Sequence, residues 1–333
     1  MKKKTIMLMA AALMTAALAG CSKNNQETKA AGTVEAGEET ESTAAGETET
    51  KAQAAEEEKT KLVIAGGDGA GLAAAIQAVS DGLDPASILI AVSGEELGAD
   101  LKQKEAFLNA ANTSDQFEAE IEDDSEIYLA DILAAGNQKN DEEMAAYLSE
   151  NGEEAMNWLK DLGITFGELK QEEGSSVARS HYAASGKLNE LTADALVQKV
   201  EELKIPIEKN TTVKSIRYGA EGEVTGVTLV ADGTETELSC VALVAADPKL
   251  LPLFEDARVT SDKDGKANGL LVTACAEVMN ASEEVLPGLY AVGDLIAPGV
   301  HGEQAVAGDE LTAAIVFGTT AGTESAIYVG DNK

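Results

Sequence analysis

Apolar and polar positions organise this chain from Lys61 onward. Leu62–Ala65 is an unbroken apolar run, residues 66–71 read GGDGAG, and an Ala-rich stretch follows to Gly82. A short continuous apolar run that ends in glycines and passes into a helix former predicts a buried strand, a tight turn and a helix. Ser87–Val92 (SILIAV) predicts a second buried strand. Ser125 is placed to cap a helix closed by Gly136. Asp141 is placed to open another, and residues 153–163 a third ending at Gly163. Thr192 is placed to cap a helix whose Leu196, Val200 and Leu203 share one face. Alternating residues then predict an antiparallel meander of Thr212–Tyr218, Val224–Val230 and Glu235–Ala245, with turns at Ala220–Glu223 and Asp232-Gly233. Leu270–Thr273 and Gly288–Val292 read as later strands. Thr312–Tyr328 reads as a terminal helix weakened at Gly318 and Gly322. The mixture is α/β, with apolar strands buried on both faces as in a parallel sheet.

The first 60 residues follow another pattern. Lys2, Lys3 and Lys4 precede a short apolar core, Ile6–Ala17, too brief to favour a spanning helix. Leu18-Ala19-Gly20-Cys21 then looks like the lipobox of bacterial lipoproteins. That likeness implies a signal peptide over 1–21, a lipid-modified Cys21 and an extracytoplasmic, membrane-anchored protein. Residues 22–60 are rich in Glu, Thr, Ala and Gly and hold no aromatic residue. They cannot bury enough apolar surface to offset ordering, so a disordered acidic tether is expected before a domain at 61–333. No arginine precedes Arg179, so a twin-arginine export signal is absent.

Charge narrows the partners. The formal net charge is −34, of which the tether, with ten acids and four bases, carries −6 and residues 61–333 carry −31. Such a domain repels nucleic acid and anionic lipid. Two histidines, His181 and His301, and three cysteines without CxxC or zinc spacing argue against a metal site. Cys240 and Cys275 lie in apolar runs and read as small core residues.

The glycine turn has the order of a dinucleotide-binding βα unit, in which the helix N-terminus holds a pyrophosphate. Its glycines are Gly66, Gly67, Gly69 and Gly71. Aligned on Gly66 and Gly71, the middle glycine of G-x-G-x-x-G is Asp68, whose carboxylate would face a diphosphate. In the other frame Leu72 replaces the last glycine. The second strand ends Ala91, Val92, Ser93, without the acid that holds a ribose hydroxyl in such units. Two readings stand for the glycines: a pyrophosphate wrap, or simply a tight strand–helix turn.

Four segments carry a family resemblance. They are VIAGGDGAGLAAAI at 63–76, LNAANT at Leu108–Thr113, GSSVARSHYAASG at Gly174–Gly186, and AEVMNASEEVLPGLYAVGDLIAPGVHG at Ala276–Gly302. Together they resemble the flavoprotein subunit of the fumarate reductase and succinate dehydrogenase family, over 61–247 and 268–328. The resemblance implies an FAD/NAD(P)-binding Rossmann-like fold with a central parallel sheet and an antiparallel β-meander. It implies FAD as cofactor, held by the four glycines, Asn109, Ala110, Gly293, Asp294, His301 and Gly302, and a separate electron-transfer partner.

The departures are equally specific. The family inserts a cap domain of about 100 residues after a strand ending A-T-G-G. Here that strand ends Val244-Ala245-Ala246-Asp247-Pro248, and only Lys249–Ala267 intervene before the chain resumes. The cap carries the family's proton-donating arginine, which has no counterpart here. The family's H-G-A-N-R is His301-Gly302-Glu303-Gln304-Ala305, and its glycine pair before LNAANT is Ala106-Phe107, where a phenylalanine would crowd a flavin face. Asp294 either holds a ribitol hydroxyl or is a surface acid. His301 either polarises a flavin carbonyl or packs in its loop. Arg179 and His181 form either an anion site for substrate or a structural polar cluster. No residue is assigned as catalytic. An FAD-linked oxidoreductase with family-type fumarate reduction lost, and a non-catalytic binding lipoprotein, are both expectations of this sequence.

Overall fold

The computed structural model describes residues 60–332, so the expected signal segment, Cys21 and all of the tether up to residue 59 lie outside the described residues. In chain order the elements are β1 (Leu62–Ala65), α1 (Gly69–Ser80), β2 (Ile88–Val92), β3 (Phe107–Asn109), α2 (Ser114–Glu118), α3 (Ser125–Ala135) and α4 (Glu142–Asp161). Next come β4 (Phe166–Lys170), β5 (Ser180–Ala183), α5 (Leu188–Leu203), β6 (Ile207–Lys209), β7 (Thr211–Tyr218), β8 (Val224–Ala231), β9 (Thr234–Ser239) and β10 (Ala242–Ala245). The last are β11 (Val259–Ser261), β12 (Ala267–Leu270), β13 (Glu277–Met279), β14 (Val285–Ala291), α6 (Ala297–His301) and α7 (Asp309–Asp331).

The central sheet has the order β13-β14-β10-β1-β2-β6, parallel from β14 to β6, with β13 antiparallel at one edge. Leu62 sits opposite Ala242 on one side and Ile88 on the other. Every residue of β1, β2 and β10 is buried, which is why each reads as an apolar run and not as an alternation. The α/β class and the mostly parallel sheet are as the sequence predicts. Helix α7 lies against α1 at very short range. A Cβ on Gly318 would stand 2.6 Å from the Ala70 carbonyl oxygen, and one on Gly322 2.5 Å from that of Ala74. The two glycines let α7 touch α1 backbone to backbone, and the helix runs unbroken for 23 residues.

Several boundaries depart from expectation for local physical reasons. The predicted strand Glu235–Ala245 is two strands. The N–H groups of Val241 and Ala242 both donate to the Lys61 carbonyl, which takes the chain out of the β7-β8-β9 meander and into the central sheet. The two helices expected between Asp141 and Gly163 are the single helix α4. Gly152 lies inside it, where a Cβ would come within 2.9 Å of the Asn109 carbonyl, so it marks a close approach and not a turn. The cap of α3 is Asp124, one residue before Ser125, accepting from the Ile127 N–H at 2.8 Å. Helix α5 starts at Leu188, before Thr192. Burial of Leu188 and two hydrogen bonds from the Asn189 amide to the Lys102 and Lys104 carbonyls hold its first turn without a side-chain cap. The strand expected at Leu270–Thr273 lies three residues earlier, as β12 pairing with β11. A small antiparallel sheet, β3-β5-β4, was not predicted.

Candidate functional site

The C-terminal ends of β1, β10 and β14 meet the start of α1, the place where parallel α/β sheets present a crevice. Gly66 leaves β1 at φ +136°, and a Cβ there would strike the Asp247 backbone at 2.7 Å. Gly71 is equally confined, with the Gly66 carbonyl 2.5 Å from its would-be Cβ. Gly67 packs under Val92, and Gly69 under the buried side chain of Leu101. These glycines make a tight turn at the helix N-terminus.

That terminus is taken by the protein's own acids. Asp68 Oδ1 accepts from the Gly71 N–H at 2.7 Å and Asp100 Oδ2 from the Gly69 N–H at 3.4 Å. The other Asp68 oxygen lies against Gly293, 2.6 Å from where a Cβ would stand. Burial, with Asp100 beside it, pushes the Asp68 carboxyl well above the usual carboxylate range, and Asp294 and Asp247 add to this.

The facing wall comes from the β14–α7 connection. Lys104 Nζ donates to Asp294 at 2.9 Å and pairs with Glu310 at 3.1 Å. Burial disfavours its charge, but these two carboxylates outweigh that and raise its pKa. His301 is buried, its Nδ1 has no partner, and burial lowers its pKa to about 4, so the ring is neutral. Gly302 turns the chain at φ +63° against the Gly136 backbone. The cleft between Asp68, Asp100, Lys104, Asp294, His301 and Glu310 leaves about 20 Å³. That is room for about one water, where small-molecule sites span roughly 300–1,000 Å³.

The remaining candidates sit on the small sheet. Asn109 is fully buried and its side chain is spent on the fold: it donates to the Ala307 carbonyl and Asp309, both at 2.7 Å, and accepts from Ser180 at 2.7 Å. Ala110 is buried beside it. Arg179 has no exposed surface. Its Nη2 lies 3.0 Å from both Asp123 and Asp131, and its guanidinium stacks on the Tyr128 ring at 4.5 Å. His181 is buried, with Nδ1 3.5 Å from Asp115, and burial lowers its pKa. Arg179 and His181 thus occupy enclosed, internally paired positions. Phe107 stacks on Tyr182 with ring centroids 4.8 Å apart.

Sequence reasoning missed Asp309, which joins these parts. It accepts from the Tyr128 hydroxyl at 2.5 Å and from Asn109, while Oδ2 has no partner. Its sequence signal is faint: an acid at the start of a long apolar helix reads as an ordinary first-turn charge. The Lys249–Ala267 connection holds the end of a short 3-10 turn begun at Pro248 and the first strand of the β11–β12 hairpin, which closes at Ala267–Leu270. Among the described residues, no group of three or more His, Cys, Asp or Glu could hold a metal ion.

The model of the FAD binding domain family matches residues 61–250 and 246–311. The NADH:fumarate oxidoreductase of Klebsiella pneumoniae (strain 342) is 33% identical over 187 residues, 56% of this chain and 20% of that protein. The probable fumarate reductase Ifc3 of Shewanella frigidimarina is 26% identical over 51% of this chain and 28% of its own length. The chain therefore spans less than a third of these relatives. Among solved structures, the open conformation of a flavocytochrome c3 fumarate reductase superposes with a TM-score of 0.70 at 15% identity, over 83% of this chain and 79% of that one. The 3-ketosteroid-Δ4-(5α)-dehydrogenase of Rhodococcus jostii RHA1 gives 0.65 at 16%, over 83% and 99%; at such identities these two show the fold.

The family match and the flavoprotein relatives support FAD as the cofactor. The described arrangement does not fit it: two carboxylates hold the N–H groups that a diphosphate would need, and the cleft is an order of magnitude too small. From the match across most of its length and the order of its sheet, the chain belongs to the FAD binding domain family, among the flavoproteins of the fumarate reductase and succinate dehydrogenase type.

Proposed function

We propose that this chain is an oxidoreductase of fumarate-reductase ancestry that takes FAD only where Asp68 and Asp100 release the helix N-terminus, and that has lost family-type turnover of fumarate and succinate. It works outside the cytoplasm, tethered by a lipid on Cys21, with electrons supplied by a separate protein. The observation that carries the loss is the charge of the cleft. Asp68, Asp100, Asp294 and Glu310 line it against Lys104, which is already paired twice. A dicarboxylate brought within about 4 Å of an unpaired carboxylate meets a repulsion of roughly 1 kcal/mol in water and about 4 kcal/mol in a partly buried site, per charge pair. Arg179 is not free to offset this, and Ala305 stands where the resemblance puts a substrate-binding arginine. Charge stabilisation and positioned proton transfer each lower barriers by several kcal/mol, and no described residue of the cleft supplies either to a dianion.

The test is steady-state fumarate reduction by the purified protein with added FAD and reduced viologen. No turnover is expected. Turnover that disappears on replacing Arg179 or His301 would overturn the reading. The narrow cleft favours a second reading, a non-catalytic binding protein on the same fold. The absorbance spectrum after incubation with micromolar FAD separates them: bound flavin supports the oxidoreductase, and free flavin only supports the binding protein.

A further inference from the structure

We propose that Asp68, assisted by Asp100, is a built-in carboxyl group that occupies the N-terminus of α1 in place of a cofactor diphosphate, and so sets how tightly this chain holds a dinucleotide. The proposal rests on reading this cleft as the family's FAD site.

An ordinary helix cap needs one acceptor, and Asp is among the preferred ones. Here two carboxylates from separate parts of the chain converge on one terminus, Asp68 on the Gly71 N–H and Asp100 on the Gly69 N–H. The second is superfluous to capping. Neither is neutralised by a direct ion pair: Lys104, the cation of the cleft, is engaged by Asp294 and Glu310. Asp68 is also pressed against Gly293, so its carboxylate spans from the turn after β1 to the turn after β14. A diphosphate at a helix N-terminus would bring two negative charges to the same N–H groups. The two carboxyl groups take the same N–H donors.

A second observation shows that the cleft is shaped for more than a cap. His301, which lines it, is more than nine-tenths buried, yet its Nδ1 meets no protein partner. A buried ring nitrogen without a partner is costly unless a ligand or water satisfies it. The lining of the cleft thus keeps one unspent polar group beside the helix terminus that Asp68 and Asp100 occupy. Any dinucleotide that enters must displace Asp68 from Gly71.

The experiment is FAD titration of the purified chain, read by flavin fluorescence and absorbance, for the wild type, Asp68→Asn, Asp68→Gly and Asp100→Asn. Glycine withdraws the carboxyl group from the Gly71 N–H, whereas asparagine keeps an acceptor there. Asp68→Gly is expected to bind FAD at least tenfold more tightly than the wild type, and Asp68→Asn and Asp100→Asn to gain less. Should Asp68→Gly fail to fold for want of a cap, Asp68→Ser, which caps with a smaller group, decides. Equal dissociation constants for wild type and Asp68→Gly, or no binding by any variant, would overturn the proposal. A wild type that binds no FAD beside an Asp68→Gly that does would uphold it while removing the oxidoreductase reading. Equal tight binding would do the reverse.

Discussion

Replacing Asp309 with asparagine should change the pH dependence of stability in a direction opposite to that of most carboxylates. Asp309 is fully buried at the start of α7, between the Tyr128 hydroxyl and the Asn109 amide. Burial raises its pKa to about 7, against hydrogen bonds from Tyr128 and Asn109 and the charge of Arg179, which pull the other way. In the unfolded chain the same group titrates near 3.9. The native state therefore holds a proton that the unfolded state has lost between about pH 4 and pH 7. Stability is fully present below pH 4, falls as pH rises through that window, and is flat above it. About 3 units at 1.36 kcal/mol each give a loss of roughly 4 kcal/mol. Asparagine fills the same space, still accepts from Tyr128, and does not titrate. Urea unfolding of both proteins from pH 4 to pH 8 should show the wild type losing several kcal/mol more than Asp309→Asn. Asp68 is displaced the same way but is common to both proteins and cancels in the difference. Parallel stability curves, or a wild type that gains on the variant as pH rises, would show that Asp309 is ionised in the fold and refute the reasoning.

Two further outcomes follow from features of the chain. Gly322→Ala gains about 1 kcal/mol of helix propensity but drives a methyl group against the Ala74 carbonyl and the Gln77 side chain, an overpacking cost of about 1–3 kcal/mol. A net loss of about 1 kcal/mol is expected in denaturant unfolding, and a stabilised variant would show that α1 and α7 part freely. Cys21→Ala should move the protein from the membrane fraction to the soluble fraction after cell breakage, and retention in the membrane would remove the proposed anchor.

The parts of the fold legible from sequence are those set by neighbours along the chain. Leu62–Ala65, the glycine turn and the Ala-rich start of α1 announce themselves because the strand is buried on both faces and the turn needs small residues. The parts that were not legible depend on partners far away. No turn residue separates β9 from β10; only the Lys61 carbonyl, 180 residues earlier, parts them. Gly152 reads as a helix end because nothing local shows the Asn109 backbone pressing on it. The site shows the same division. Asp68 at a glycine position is visible as an anomaly in the sequence. Its alliance with Asp100, and the enclosure of Arg179 by Asp123 and Asp131, come from pairings that no spacing encodes. Asp309 stayed hidden because its partners Asn109 and Tyr128 lie 200 and 181 residues away.

The position of β10 between β1 and β14 also governs when the molecule can assemble. As the chain emerges, β1 and β2 can pair early, because Leu62 and Ile88 are close in sequence. The other edge of β1 has no partner until Ala242 appears, and β10 none on its far side until Leu289 follows. Helix α1 meanwhile shows the small-residue face that α7 covers last of all. Contacts of such sequence separation make folding slow and leave an apolar strand edge open to other chains in the interval. The nascent protein therefore carries an open apolar strand edge until β10 and β14 have both been made.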